Sequence, residues 1–214
     1  MTEYVSVERE AYPGCTLPLD LHTPVWRYMD ISKFQSLLEQ KALYLCRADR
    51  LQDRFEGSYS RQQILEMDDY DLDLMWQGYV KKAPGVAIKS SVKKLQQICD
   101  NSVEYYPIDI SIVKYFDQAK GEPISYSGTP SAFLYKDHHF QLDNELRIIH
   151  TPNISVPSPE YIFLPVVLGD LIEEIVLQPK SSLHDLESVR EAIDGAGLTS
   201  IPIQVSRDDR ELIK

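Results

Sequence analysis

The stretch FQLDNELRIIH, Phe140 to His150, sets Asp143, Glu145 and Arg147 at every second position and then runs into Ile148 and Ile149. Alternation at period two is the mark of a strand, so acid, acid and base share one side while Leu146 and Ile148 share the other. Two readings follow. Asp143, Glu145 and Arg147 are the solvent side of an edge strand, and an Arg and a Glu on paired strands form a structural ion pair. Alternatively, the carboxylates face a cleft and do chemistry.

Working outward, the chain repeats strand and helix signals. VWRYM (Val25 to Met29) reads as a strand, and Asp30 or Ser32 caps a helix carrying Phe34, Leu37 and Leu38 at helical spacing. ALYLCRA (Ala42 to Ala48) returns as a second strand. Gly85 opens a third, Ser90 or Ser91 caps, and Val92, Leu95, Ile98 and Cys99 form the next helical stripe. One or two strands surround Pro107, and EEIVLQP, SSLHDLESVREAIDGAG and SIPIQVSR give strand, helix and strand near the end. The expectation is an α+β fold: a central mixed β-sheet flanked by helices, as a single domain over 25–214. Residues 1–24, with Pro13, Gly14, Pro18 and Pro24, are expected to form an extended N-terminal arm. The acidic stretch Glu66 to Asp73 is expected to stay solvated.

Composition narrows the function. Thirty-three acidic against 22 basic residues give a net charge of -11, which disfavours nucleic acid as the main partner. Three widely spaced cysteines, Cys15, Cys46 and Cys99, make neither a disulfide framework nor a metal cluster. No apolar run reaches the roughly 20 residues that span a bilayer, and the N-terminus lacks a signal-peptide pattern. The expected location is therefore the cytoplasm, with no membrane partner. His138 and His139, read as strand neighbours, point to opposite faces and do not chelate together, so no metal is expected.

WRYMDISKFQSLLEQKALYLCRADRLQDRFEGS, MWQGYVKKAPGVAIKSSVKKL and FLYKDHHFQLDNELRII, in that order, resemble a bacterial and phage family catalogued as domain of unknown function twenty-nine seventy-one. RADxLxDxFEG, Arg47 to Gly57, is the most specific piece. The resemblance implies the fold and, since members sometimes sit near phage-defence genes, a defence association; it implies no settled activity. The chain departs from the family in its short acidic Ser58–Leu74 segment, in Asp143 where the family has the first Glu of Glu-x-Glu-x-Arg, and in Cys46 where a serine is usual.

A second resemblance is motif-sized. Trp26-Arg27, Ser90-Ser91 and Asp143-x-Glu145 follow the chain order of the motifs of ADP-ribosyltransferases, which split the nicotinamide bond of NAD. It implies NAD as a candidate co-substrate and Arg27, Ser90 and Glu145 as catalytic residues. Glu145 would hold the ribose hydroxyl and the oxocarbenium charge, a task carboxylates perform in glycoside hydrolysis. Arg27 would grip a phosphate, Ser90 would brace the glutamate, and Tyr44 would stack on nicotinamide. Asp143 would position an acceptor. Arg147, Arg47 and Glu56 are further candidates for substrate contact, Arg47 and Glu56 within a charged loop that either knits itself together or walls a cleft. The competing expectation is a non-catalytic binding or regulatory module, in which Tyr44, Trp76 and Tyr79 line an interaction surface. The two part on one geometric point: whether Arg27 and Glu145 face one cleft.

Overall fold

The computed structural model describes residues 14–47, 59–61, 76, 80, 84–102, 107–116, 120, 133–151 and 159–206. Strand β1 (Pro24–Asp30) leads directly into helix α1 (Ile31–Gln40), whose Phe34, Leu37 and Leu38 are buried at the expected spacing. Each such side chain contributes roughly 1.5–3 kcal/mol on leaving water. Asp30 holds the N-cap position of α1 with an extended backbone and makes no side-chain cap bond. The helix stops at Lys41, which takes the left-handed conformation (φ 49°), and β2 (Ala42–Cys46) starts at once.

Strand β3 is short (Tyr59–Arg61) and pairs with β1 and β8, while Glu66 to Asp73, the stretch expected to stay solvated, lie outside the described residues. Strand β4 (Gly85–Ser91) runs into α2 (Val92–Asn101), capped by Ser91, whose Oγ accepts from the Lys94 amide. Next come β5 (Ile108–Ile112), β6 (Lys114–Phe116), β7 (Tyr135–Asp137) and a 3-10 turn over His138–Asp143. Strands β8 (Glu145–His150) and β9 (Tyr161–Pro165) precede the short α3 (Leu168–Leu171). The chain closes with β10 (Glu174–Leu177), α4 (Leu183–Gly195) and β11 (Ile203–Val205). Helix α4 opens on a capping box in which Ser182 and Asp185 satisfy each other's backbone amides.

Seven strands form one sheet in the order β11-β10-β4-β1-β3-β8-β5, with β10 and β11 parallel and the other pairs antiparallel. The mixed sheet flanked by helices is thus the observed architecture. Two small two-stranded sheets, β2-β9 and β6-β7, accompany it. The sheet has two unlike faces. One carries Val25, Met29, Val86, Ile88, Leu146, Ile148 and Ile175 into the main core, against α1, α2, α4 and the inner side of β2-β9. The other carries Trp26, Tyr28, Ala87 and Val176, which pack with Trp76.

The arm expected over 1–24 lies partly outside the described residues. Its described part meets the outer edge of β5: the Ile112 amide donates to Thr16 O at 2.9 Å, and the Thr16 amide to Ser111 Oγ at 2.9 Å. An edge strand so occupied offers fewer open backbone groups for pairing with another chain. Among the described residues no helix is long and apolar enough to cross a membrane.

Candidate functional site

The opening stretch is only half a strand. Phe140 to Asp143 belong to the 3-10 turn, Asn144 turns left-handed (φ 42°), and the strand begins at Glu145. His138 and His139 sit in that turn rather than on a strand, with ring centroids 4.1 Å apart. The solvent-face reading of the charged side is overturned by burial: Glu145 is 1% exposed and Arg147 7%. The reason is a partner the alternation did not reveal. Lys136 of β7, 3% exposed, places Nζ 2.5 Å from Asp143 Oδ2 and 3.4 Å from Glu145 Oε2. Arg147 donates through Nε to Glu145 Oε1 at 2.5 Å and through Nη2 to Oε2 at 3.0 Å, and through Nη1 to the Phe133 carbonyl. The Glu145 amide donates to Tyr115 Oη at 2.9 Å, and burial pushes that phenol well above its ordinary pKa, so it stays neutral. Two cations thus balance two carboxylates in a region of low dielectric, where an unbalanced charge would be costly.

Arg27 lies elsewhere. It is opposite Ile88 in the β1-β4 ladder, and its strand neighbours Val25 and Met29 enter the same core as Leu146 and Ile148 of β8. Cross-strand parity therefore puts Arg27 on the core face and Glu145 on the opposite face, the one that carries Trp26. Ser90, opposite Val25, is the diagonal neighbour of Arg27 and shares its face. Arg27 and Ser90 thus share one face of the sheet and Glu145 takes the other. Asp143, Glu145 and Arg147 do come together, around Lys136.

Ser90 is fully buried and its Oγ has no hydrogen-bond partner among the described residues. A buried hydroxyl left unsatisfied costs roughly 1–3 kcal/mol, so Ser90→Ala is expected to raise stability by about 1 kcal/mol despite the lost volume. A urea-denaturation midpoint that falls in this variant would overturn the assignment.

What Arg27 does reach is β2. Its Nη2 lies 3.5 Å from the Tyr44 carbonyl, at the limit of a hydrogen bond. The Tyr44 ring stands on the outer side of β2-β9 with Tyr161 and Phe163; the three are 36–49% exposed, with centroids 5.3–5.7 Å apart. The Tyr44 phenol is raised, first by partial burial and then by Cys46, so it adds no negative charge there. Arg47 follows Cys46 at the exposed end of β2. Glu56 and Tyr79 lie outside the described residues. Trp76 does not line a surface: it is 3% exposed and packs edge-on against Tyr28 at 4.9 Å. A separate cavity of about 760 Å³ lies between α2 and the 165–170 segment, lined by Lys94, Gln97, Asn101, Val166 and Asp170 among others; it contains none of the candidate catalytic or substrate-binding residues.

Fold and site define the class: a mixed-sheet α+β domain with an exposed aromatic platform on β2-β9, an arginine on the core face that reaches the Tyr44 carbonyl, and a buried charge cluster on the opposite face of the main sheet. DarT of Thermus sp. 2.9 in complex with NAD+ is similar to this chain at a TM-score of 0.43 and 12% identity, over 90% of this chain and 98% of that one. The same protein with carba-NAD+ gives 0.42 at the same identity and coverage. A likeness of this size assigns no chemistry to the chain. No family model matches it, and no curated protein does.

Proposed function

We propose that the chain is a non-catalytic nucleotide-binding module, with NAD as its candidate ligand, holding a phosphate on Arg27 and a ring on the Tyr44, Tyr161 and Phe163 platform. The observation that carries this is the separation of Arg27 from Glu145 by the thickness of the sheet. Arg27 reaches the backbone carbonyl of Tyr44, on the strand whose outer side carries rings that can stack, and its guanidinium is a group that forks onto phosphate. The carboxylate that cleavage of the nicotinamide bond would use faces the other way, with both oxygens engaged.

A second reading keeps one observation in its favour. Glu145 is held at the head of its strand by Arg147 and Lys136 with Asp143 alongside, the fixed carboxylate that an NAD-cleaving, ADP-ribosyltransferase-like enzyme uses against an oxocarbenium charge. One experiment decides. Calorimetric titration with NAD is expected to show saturable binding, while chromatography of the same mixture shows no nicotinamide released. Release that disappears in Glu145→Gln would establish the enzyme instead, and the absence of any binding heat or nicotinamide would remove both.

A further inference from the structure

We propose that the segment Phe133–Asp143 is a latch closed over Glu145, pinned by Lys136 and opening as a unit about Asn144. The segment comprises β7 and the 3-10 turn, and its ties to the head of β8 are polar. Lys136 bridges Asp143 on the segment to Glu145 on the strand, and Arg147 donates to the Phe133 carbonyl. Leu134 is its buried apolar anchor, and it belongs to neither of the two main clusters of core side chains. Phe133, Phe140 and Leu142 lie on its exposed side and add little apolar cohesion with the sheet.

The hinge is visible in the backbone. Asn144 is left-handed, a conformation a non-glycine residue holds only where its surroundings enforce it, and Asn is among the residues that tolerate it best. The segment's other tie is the short parallel ladder of β7 with β6, where Tyr135 meets Phe116 at 6.2 Å, so opening parts that ladder as well as the ion pairs. A segment held by so short a ladder and by ion pairs is the kind that opens below the free energy of global unfolding. Opening separates Lys136 from Glu145 and turns a carboxylate that is shut from water into an accessible one, still beside Arg147. Closed, the latch keeps that carboxylate unreactive toward any ligand. This inference does not rest on the nucleotide-binding proposal, because it concerns the opposite face of the sheet.

The test is hydrogen exchange of the whole chain, read by mass spectrometry on peptides covering 133–143 and 183–195. In Lys136→Met the amides of 133–143 are expected to exchange roughly a hundredfold faster, since breaking one member of a buried ionic group costs several kcal/mol. Those of α4 should be unchanged, and Lys136→Arg should restore protection. Carbodiimide labelling of Glu145 should rise in the same Lys136→Met sample. Unchanged exchange in 133–143, or equal acceleration in α4, overturns the proposal. Should Lys136→Met fail to fold, exchange of the unmodified chain in sub-denaturing urea gives the answer. A smaller urea dependence in 133–143 than in α4 supports the latch, and identical free energies and slopes in the two regions refute it.

Discussion

Glu145→Leu is expected to cost about 3–5 kcal/mol of folding stability, because it leaves the Arg147 guanidinium buried without its carboxylate. The side chain of Glu145 has no exposed surface and that of Arg147 is 9% exposed, so water cannot take the place of the lost partner. Glu145→Gln keeps the shape and one acceptor oxygen and should cost less, about 1–3 kcal/mol, the price of a charged hydrogen bond made neutral. The pairing itself is tested by adding Arg147→Met to Glu145→Leu. Burying two apolar side chains where a salt bridge stood is often close to neutral, so the double variant should recover much of the loss. Urea titration at one fixed pH measures all three. A loss below about 1 kcal/mol for Glu145→Leu would mean the pair behaves as a surface salt bridge, which its burial forbids.

That cluster also shows where sequence stops being informative. Helices α1, α2 and α4 were legible because each shows apolar residues at helical spacing behind a polar cap, a pattern that depends on nothing outside the segment. The parity of β8 was equally plain, Glu145 and Arg147 against Leu146 and Ile148. Which face of the sheet that parity meant was not. Strand β1 is apolar on both sides, with Val25 and Met29 on one and Trp26 and Tyr28 on the other, so its alternation distinguishes no inside from outside. Relating Arg27 to Glu145 requires the register through β3 or membership of a common core, and both are tertiary facts. Lys136 was overlooked for a similar reason: it follows Phe133, Leu134 and Tyr135 but is followed at once by Asp137, His138 and His139, so it reads as the start of a polar turn. Strand β9 was missed because its outward positions are Tyr161, Phe163 and Pro165, so an alternating strand has the look of an unbroken apolar run. Those same outward rings complete the platform beside Tyr44.

Arg27→Met is expected to weaken NAD binding by roughly tenfold to a hundredfold, the worth of one or two charge-assisted bonds to phosphate. Arg27→Lys should recover only part of the loss, because an ammonium supplies a point charge without the planar fork. Ionic strength provides an internal check. The native affinity should fall as salt rises, since the guanidinium is only partly buried, and that dependence should flatten in Arg27→Met. Phe163→Ala removes one exposed ring from the platform and should weaken binding by about 1–3 kcal/mol, with little change in salt dependence. Glu145→Gln, on the opposite face, should leave affinity within the error of calorimetric titration. The contrast is the discriminating element: a ligand at the Arg27 edge responds to Arg27 and Phe163 and ignores Glu145, whereas one at the charge cluster responds to Glu145 and ignores Phe163. Sensitivity to Arg27 and Glu145 together would require one ligand to reach both faces of the sheet, since the register of β1 through β8 sets the two residues on opposite faces.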